Sequence, residues 1–157
     1  MKTKNTKAVL KKVAAGQGKW CKSGTPQGLA GIRDIHLKVV SQDEHREKFS
    51  LGDYWIDSNG VLQVRASKLP DNRMSILLLI HELIEVLAAE HKGIPEPVTQ
   101  AWDIAFEKRC PGSTAQAGDE DDCPIREQHL LAEGIERIMA VVFGVSWKQY
   151  GLECDKL

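Results

Sequence analysis

The segment from Met74 to Lys92 constrains this chain more than any other. Ile76, Leu77, Leu78, Leu79, Ile80, Leu83, Ile84 and Val86 make a helix there apolar on nearly every side. Such a helix belongs inside a domain, with other elements packed around it. Yet it carries His81, Glu82 and Glu85. Three ionisable groups in so apolar a helix are costly to bury unpaired. They must satisfy one another, meet partners on another element, or bind an ion. His81 and Glu85 stand at i and i+4, on one face and one turn apart. Gly93 stops the helix. The unbroken apolar run, Ile76–Ile80, ends at His81, far short of the roughly 18 residues needed to span a bilayer.

A second helix repeats the pattern. The stretch from Pro124 to Phe143 carries an apolar stripe of Leu131, Ile135, Ile138, Met139 and Val142, joined by Gln128, at the 3.6-residue period. Beside it run His129, Glu133 and Glu136. The stripe is expected to face the core, with the His/Glu ridge at its border. Brought face to face, the two helices would offer His81, Glu85 and His129, the ligand set of a catalytic zinc site of the His₂Glu type with its fourth position open. Glu82 is then free as the general base for a water whose pKa the metal lowers. Glu133 or Asp103 would orient the ligand imidazoles or serve as an alternative ligand. The alternative is a polar network between helices that fixes register without an ion.

The remaining elements give an α+β fold. Ile35, Leu37 and Val39 alternate with Asp34, His36 and Lys38, as in a half-buried strand. Leu51–Asp57, the turn Ser58-Asn59-Gly60, and the alternating Leu62, Val64 and Ala66 predict a hairpin. The expectation is a small antiparallel sheet from about residue 33 to 66, followed by three main helices. The middle helix runs from Glu96 to Lys108, and Ser146 caps a last short turn through Tyr150. The loop 111–122, ending in Asp119-Glu120-Asp121-Asp122, lacks the spacing of a calcium loop and reads as solvated. The tryptophans at 20, 55, 102 and 147 fall one to an element, as packing anchors do.

Charge divides the chain. Residues 1–33 hold seven Lys, one Arg and no acid, whereas residues 34–157 hold 13 basic and 22 acidic residues. Residues 1–31 therefore read as a basic, glycine-broken lead-in to a single metal-binding domain at 32–157. The lead-in is either a solvated tail or a contact for nucleic acid or another acidic surface. Cys21, Cys110, Cys123 and Cys154 form no Cys-x-x-Cys pair, and free thiols in a reducing compartment are expected over a Cys110–Cys123 bridge. With no signal-peptide core, the expected location is the cytoplasm.

Two resemblances follow from these residues. The order of strand hairpin, Arg73, apolar run and His81-Glu82-Leu83 resembles the minimal zincin metallopeptidases, whose His-Glu-x-x-His helix follows the strand lining the substrate cleft. Carried over, His81 matches the first ligand and Glu82 the catalytic acid/base. Glu85 stands where that family has its second histidine, and His129 or Glu133 is the candidate third ligand. The stretch His81–Glu85, with Gly93-Ile94, Val98, Asp103, Phe106-Glu107, His129, Ala132 and Ile135-Glu136-Arg137, is similar to uncharacterised proteins of phages and prophages. That similarity implies a phage or prophage origin, hence the cytoplasm of an infected or prophage-carrying bacterium. The resulting expectation is a zinc-dependent, peptidase-like hydrolase acting on a peptide or protein. One alternative is a helical nucleotide phosphohydrolase, with Glu82, Glu85, Asp103 and Glu133 holding Mg²⁺ or a similar ion such as Mn²⁺. The other is a non-enzymatic accessory protein that binds a host factor or nucleic acid through residues 1–31.

Overall fold

A computed structural model describes residues 28–157, so the basic lead-in up to residue 27, with Trp20 and Cys21, lies outside the described residues. The strands are β1 (Asp34–Val40), β2 (Gly52–Ile56) and β3 (Val61–Ser67). The helices are α1 (Asn72–His91), α2 (Glu96–Arg109), α3 (Arg126–Phe143) and α4 (Trp147–Cys154). The architecture is α+β, and no helix among the described residues is long and apolar enough to cross a membrane.

The expected hairpin is present. β2 and β3 pair antiparallel with Tyr54 opposite Val64, and Gly60 takes the turn position that needs a positive φ, at 77°. The sheet as a whole is not antiparallel. Its order is β1-β3-β2, and β1 lies parallel to β3 with Leu37 opposite Val64. The connector 41–51 carries the chain past the end of β3, so β1 and β2, consecutive in sequence, are not neighbours in the sheet. The alternation in β1 also misleads. Ile35, Leu37 and Val39 share the helix-facing side with Leu62, Val64 and Ala66, but Ile35 and Leu37 remain 40% and 49% exposed. The helices above the sheet cover the middle strand and leave this edge open.

α1 is the central element. Asp71 caps its start by accepting a hydrogen bond from the Arg73 backbone N–H. Its end closes in a Schellman turn: Ile94 N–H bonds Ala89 O, Gly93 N–H bonds Glu90 O, and Gly93 takes φ 72°. On one side, Val86, Leu79 and Leu83 meet Tyr54, Leu62 and Val64 of the sheet. On another, Met74, Leu77 and Leu78 meet Ala140, Val145 and Tyr150 of the C-terminal helices. Completely burying a leucine such as Leu77 stabilises by about 1.5–3 kcal/mol. An apolar circumference is thus explained by two packed faces. α2 adds a smaller cluster in which Trp102 packs with Ala89, Cys123 and Ile125.

α4 runs a turn beyond the predicted Tyr150, with Ser146 accepting from Gln149 N–H as its cap. α3 departs from expectation in a more consequential way. The face it buries consists of Gln128, His129, Ala132, Glu136 and Ala140. From the predicted core stripe, Leu131, Ile138 and Val142 are 52%, 65% and 67% exposed. The helix is strongly amphipathic, but its polar side faces inward. The reason is on α1, whose polar residues point at it.

Candidate metal centre

α1 and α3 pack closely along their lengths and carry the site between them. His81 and Glu85, one turn apart on α1, both point at α3, where His129 points back. All three are buried, at 6–8% exposure. His81 Nε2 lies 3.2 Å from His129 Nδ1, His129 Nδ1 lies 2.9 Å from Glu85 Oε2, and His81 Nε2 lies 3.5 Å from Glu85 Oε2. Two imidazole nitrogens and one carboxylate oxygen therefore form a nearly equilateral triangle.

That triangle can be compared with metal geometry. Zinc binds nitrogen and oxygen at about 2.0–2.1 Å in a tetrahedron, so its ligand atoms stand about 3.3 Å apart. The three observed edges bracket that value. The donor set suits the ion as well: neutral imidazole and carboxylate are the usual nitrogen and oxygen ligands of zinc. The group could hold a metal ion, and the triangle leaves one tetrahedral position unclaimed by these residues.

The outer atoms of the ligands are held in turn. His81 Nδ1–H donates to Glu136 Oε2 at 3.0 Å, which leaves Nε2 to face the triangle. The Tyr150 hydroxyl donates to the other oxygen of Glu136. The Tyr54 hydroxyl donates to Thr99 Oγ1 at 3.1 Å and lies 3.5 Å from Glu85 Oε1. His129 Nε2 is 3.7 Å from Asp119 Oδ1. Such carboxylate–imidazole pairs are the customary support of metal-bound histidine.

Two glycines make room for this arrangement. Gly118 lies against the His129 ring, and a Cβ there would overlap it. Gly52, at the start of β2, lies against the Glu82 carboxyl, and a Cβ there would overlap that group. Neither close approach is legible without knowing which loop meets which side chain.

The electrostatics follow from burial among like and unlike charges. Burial opposes a charge on His81, but its bonds to Glu136 and Glu85 and the charge of Glu82 prevail, raising its pKa to about 11. Burial would raise Glu85, but the two histidines outweigh it and hold its pKa at about 2. Glu82 is pushed well up, first by burial and then by the Glu85 charge. Asp103, half-buried on α2, is raised to about 7 by burial and by Glu85. The pattern is one strongly ionised carboxylate at the triangle and two reluctant ones near it.

The sequence-derived candidates are distributed unevenly. His81, Glu85 and His129 converge, with Glu82 and Asp103 close enough to feel their charges. Glu133 does not reach the cluster and pairs with Arg137 at 2.7 Å. Its expected role falls to Glu136. Helical geometry contains the signal: relative to His129, i+7 is rotated by roughly 20°, whereas i+4 is rotated by roughly 40°. Asp119 belongs to the acidic loop that read as solvated, yet it stands beside His129. Cys110, Cys123 and Cys154 are free thiols.

Compared with family models, with curated proteins and with solved structures, the chain matches none.

Proposed function

We propose that this protein is a zinc-dependent hydrolase in which His81, Glu85 and His129 hold the ion and Glu82 serves as the general base. The reading rests on the triangle of donor atoms, whose edges of 3.2, 2.9 and 3.5 Å suit one face of a zinc tetrahedron. Three protein ligands are the hallmark of a catalytic rather than a structural zinc site. A zinc ion bound there would act as a Lewis acid and lower the pKa of a water in the open position.

The remaining chemistry belongs to the chain. Glu82 follows His81 directly, and its raised pKa makes it a stronger base than an exposed carboxylate. It accepts the proton of the attacking water and passes it to the leaving group. Glu136 fixes the His81 ring, and Tyr150 fixes Glu136. The first substrate class to test is a peptide. A peptide cannot simply extend the sheet at β2, because Arg46 already donates to the outward carbonyl of Tyr54 at 2.8 Å and pairs with Asp53 and Glu96. The magnesium reading has less support, because Glu133 stands apart from the oxygen ligands it would join.

The test uses untagged protein. Elemental analysis should find one zinc per chain, lost in His81→Ala and in His129→Ala. Glu82→Gln should keep the zinc and lose hydrolysis of a quenched-fluorescence peptide library. Failure to take up zinc removes the centre. Stoichiometric zinc without turnover in the wild type, on peptides or other acyl substrates, removes the hydrolase and leaves the metal site.

A further inference from the structure

The outward face of α3 needs a cover. Leu131, Ile138, Val141 and Val142 lie on it at 52–81% exposure, with Leu130 at its margin. Leu131, Gly134, Ile138 and Val141 follow the alternating three- and four-residue steps of a helix–helix seam. Monomers seldom expose a contiguous apolar patch beyond a few hundred Å². This one lies along a single helix, the shape a second helix fits.

We infer that this face is the interface between two copies of the chain, with their α3 helices packed antiparallel about a two-fold axis near Ile138. Three features of the helix favour a second copy in that orientation. The patch is self-complementary about Ile138, since Gly134 of one copy falls opposite Val142 of the other. The space beside Gly134 is open, so a bulky side chain can enter it. The charges are arranged head to tail. Glu127 is exposed on this face at the N-terminal end, where Arg126 is already paired with Asp121, whereas exposed Lys148 stands just beyond the C-terminal end. Antiparallel packing sets acid beside base, and parallel packing would set like beside like.

The interface does not depend on metal, because it lies on the side of α3 away from His129 and Glu136. Sedimentation equilibrium of the full chain at micromolar concentrations should give twice the mass of one chain, with or without chelator. Ile138→Asp and Val141→Glu, each at an exposed position, should yield monomers of unchanged helical content by circular dichroism. Glu127→Lys should weaken the dimer about tenfold, and adding Lys148→Glu should restore it. A wild type that stays monomeric overturns the inference. If that monomer also loses stability in Ile138→Asp, the cover is a segment of the same chain. A dimer indifferent to both Ile138→Asp and Val141→Glu overturns it as well.

Discussion

Replacing Glu136 by Gln tests whether the buried cluster is built around an ion. The carboxylate accepts from His81 Nδ1 at 3.0 Å and from the Tyr150 hydroxyl, and it is 4% exposed. The amide keeps the size and one acceptor oxygen but removes the charge. If His81 Nε2 binds zinc, Glu136 acts on the metal through the ring, by fixing its tautomer and raising its basicity. Loss of such a partner weakens metal affinity by about 10- to 100-fold, or roughly 1.4–2.7 kcal/mol. That range agrees with the roughly 1.5–3 kcal/mol of a hydrogen bond to a charged group. The assay is competition for zinc against a chromophoric chelator at neutral pH. Tyr150→Phe, which removes only the outer hydroxyl, should cost less than Glu136→Gln. A zinc affinity unchanged in Glu136→Gln, in a protein that still folds, would refute the reasoning. It would mean that His81 is not a ligand, or that its outer nitrogen does not matter to the metal.

Other perturbations probe the supports of the site and the core. Gly118→Ala sets a Cβ into the His129 ring, so the loop or the ring must move. Overpacking of this kind costs about 1–3 kcal/mol, and chelator competition should show weaker zinc binding although Gly118 carries no ligand atom. Leu77→Ala empties a completely buried position between α1 and the C-terminal helices, and urea unfolding should report a loss of about 2–5 kcal/mol. His45 is buried against Ser67, and burial, aided by the Arg65 and Lys48 charges against Asp53, lowers its pKa below the ordinary 6.5. The unfolded chain then binds more protons than the folded one below pH 6.5, so His45 makes stability fall as the pH drops through that value. Urea midpoints at neutral and mildly acidic pH should differ more in the wild type than in His45→Gln; an equal difference would exclude His45 as the source.

The residues differ in how much of this they disclosed in advance. Local signals were reliable where one element decides the outcome. The apolar circumference of α1, its stop at Gly93, the turn at Gly60 and the cap at Ser146 all depend on neighbours within a few positions. His81 and Glu85 were legible as a pair for the same reason. The parallel pairing of β1 was not, because it depends on where the connector 41–51 carries the chain. The choice of Glu136 over Glu133 depended on a few tens of degrees of rotation about α3. Gly52 and Gly118 could not be found at all, since each is defined by the side chain of a distant element that fills the space beside it.

α3 sets two rules of burial against each other, and the outcome says what dominates at its surface with α1. Turned by half a revolution, the helix would bury Leu131, Ile138, Val141 and Val142, each worth about 1.5–3 kcal/mol when fully buried. The same rotation would take His129 and Glu136 away from α1. His81 and Glu85 would then remain inside an apolar helix without partners, and breaking such a buried pair costs about 3–5 kcal/mol. These side chains are already partly covered, so turning them in gains only a fraction of that sum, and it would break two buried contacts, His81–Glu136 and Glu85–His129: the opposing sums are of the same order. Either of two contributions would tip the balance toward the observed rotation: an ion held by three ligands, whose binding energy would exist only in that rotation, or a second copy that would cover the outward face and remove the gain from turning it in. The two are separable. Chelation would remove the first and leave the second, whereas Ile138→Asp would remove the second and leave the first. An α3 that keeps its orientation in Ile138→Asp under chelation, seen as undiminished protection of its inward amides in hydrogen exchange, would show that the four buried side chains suffice on their own.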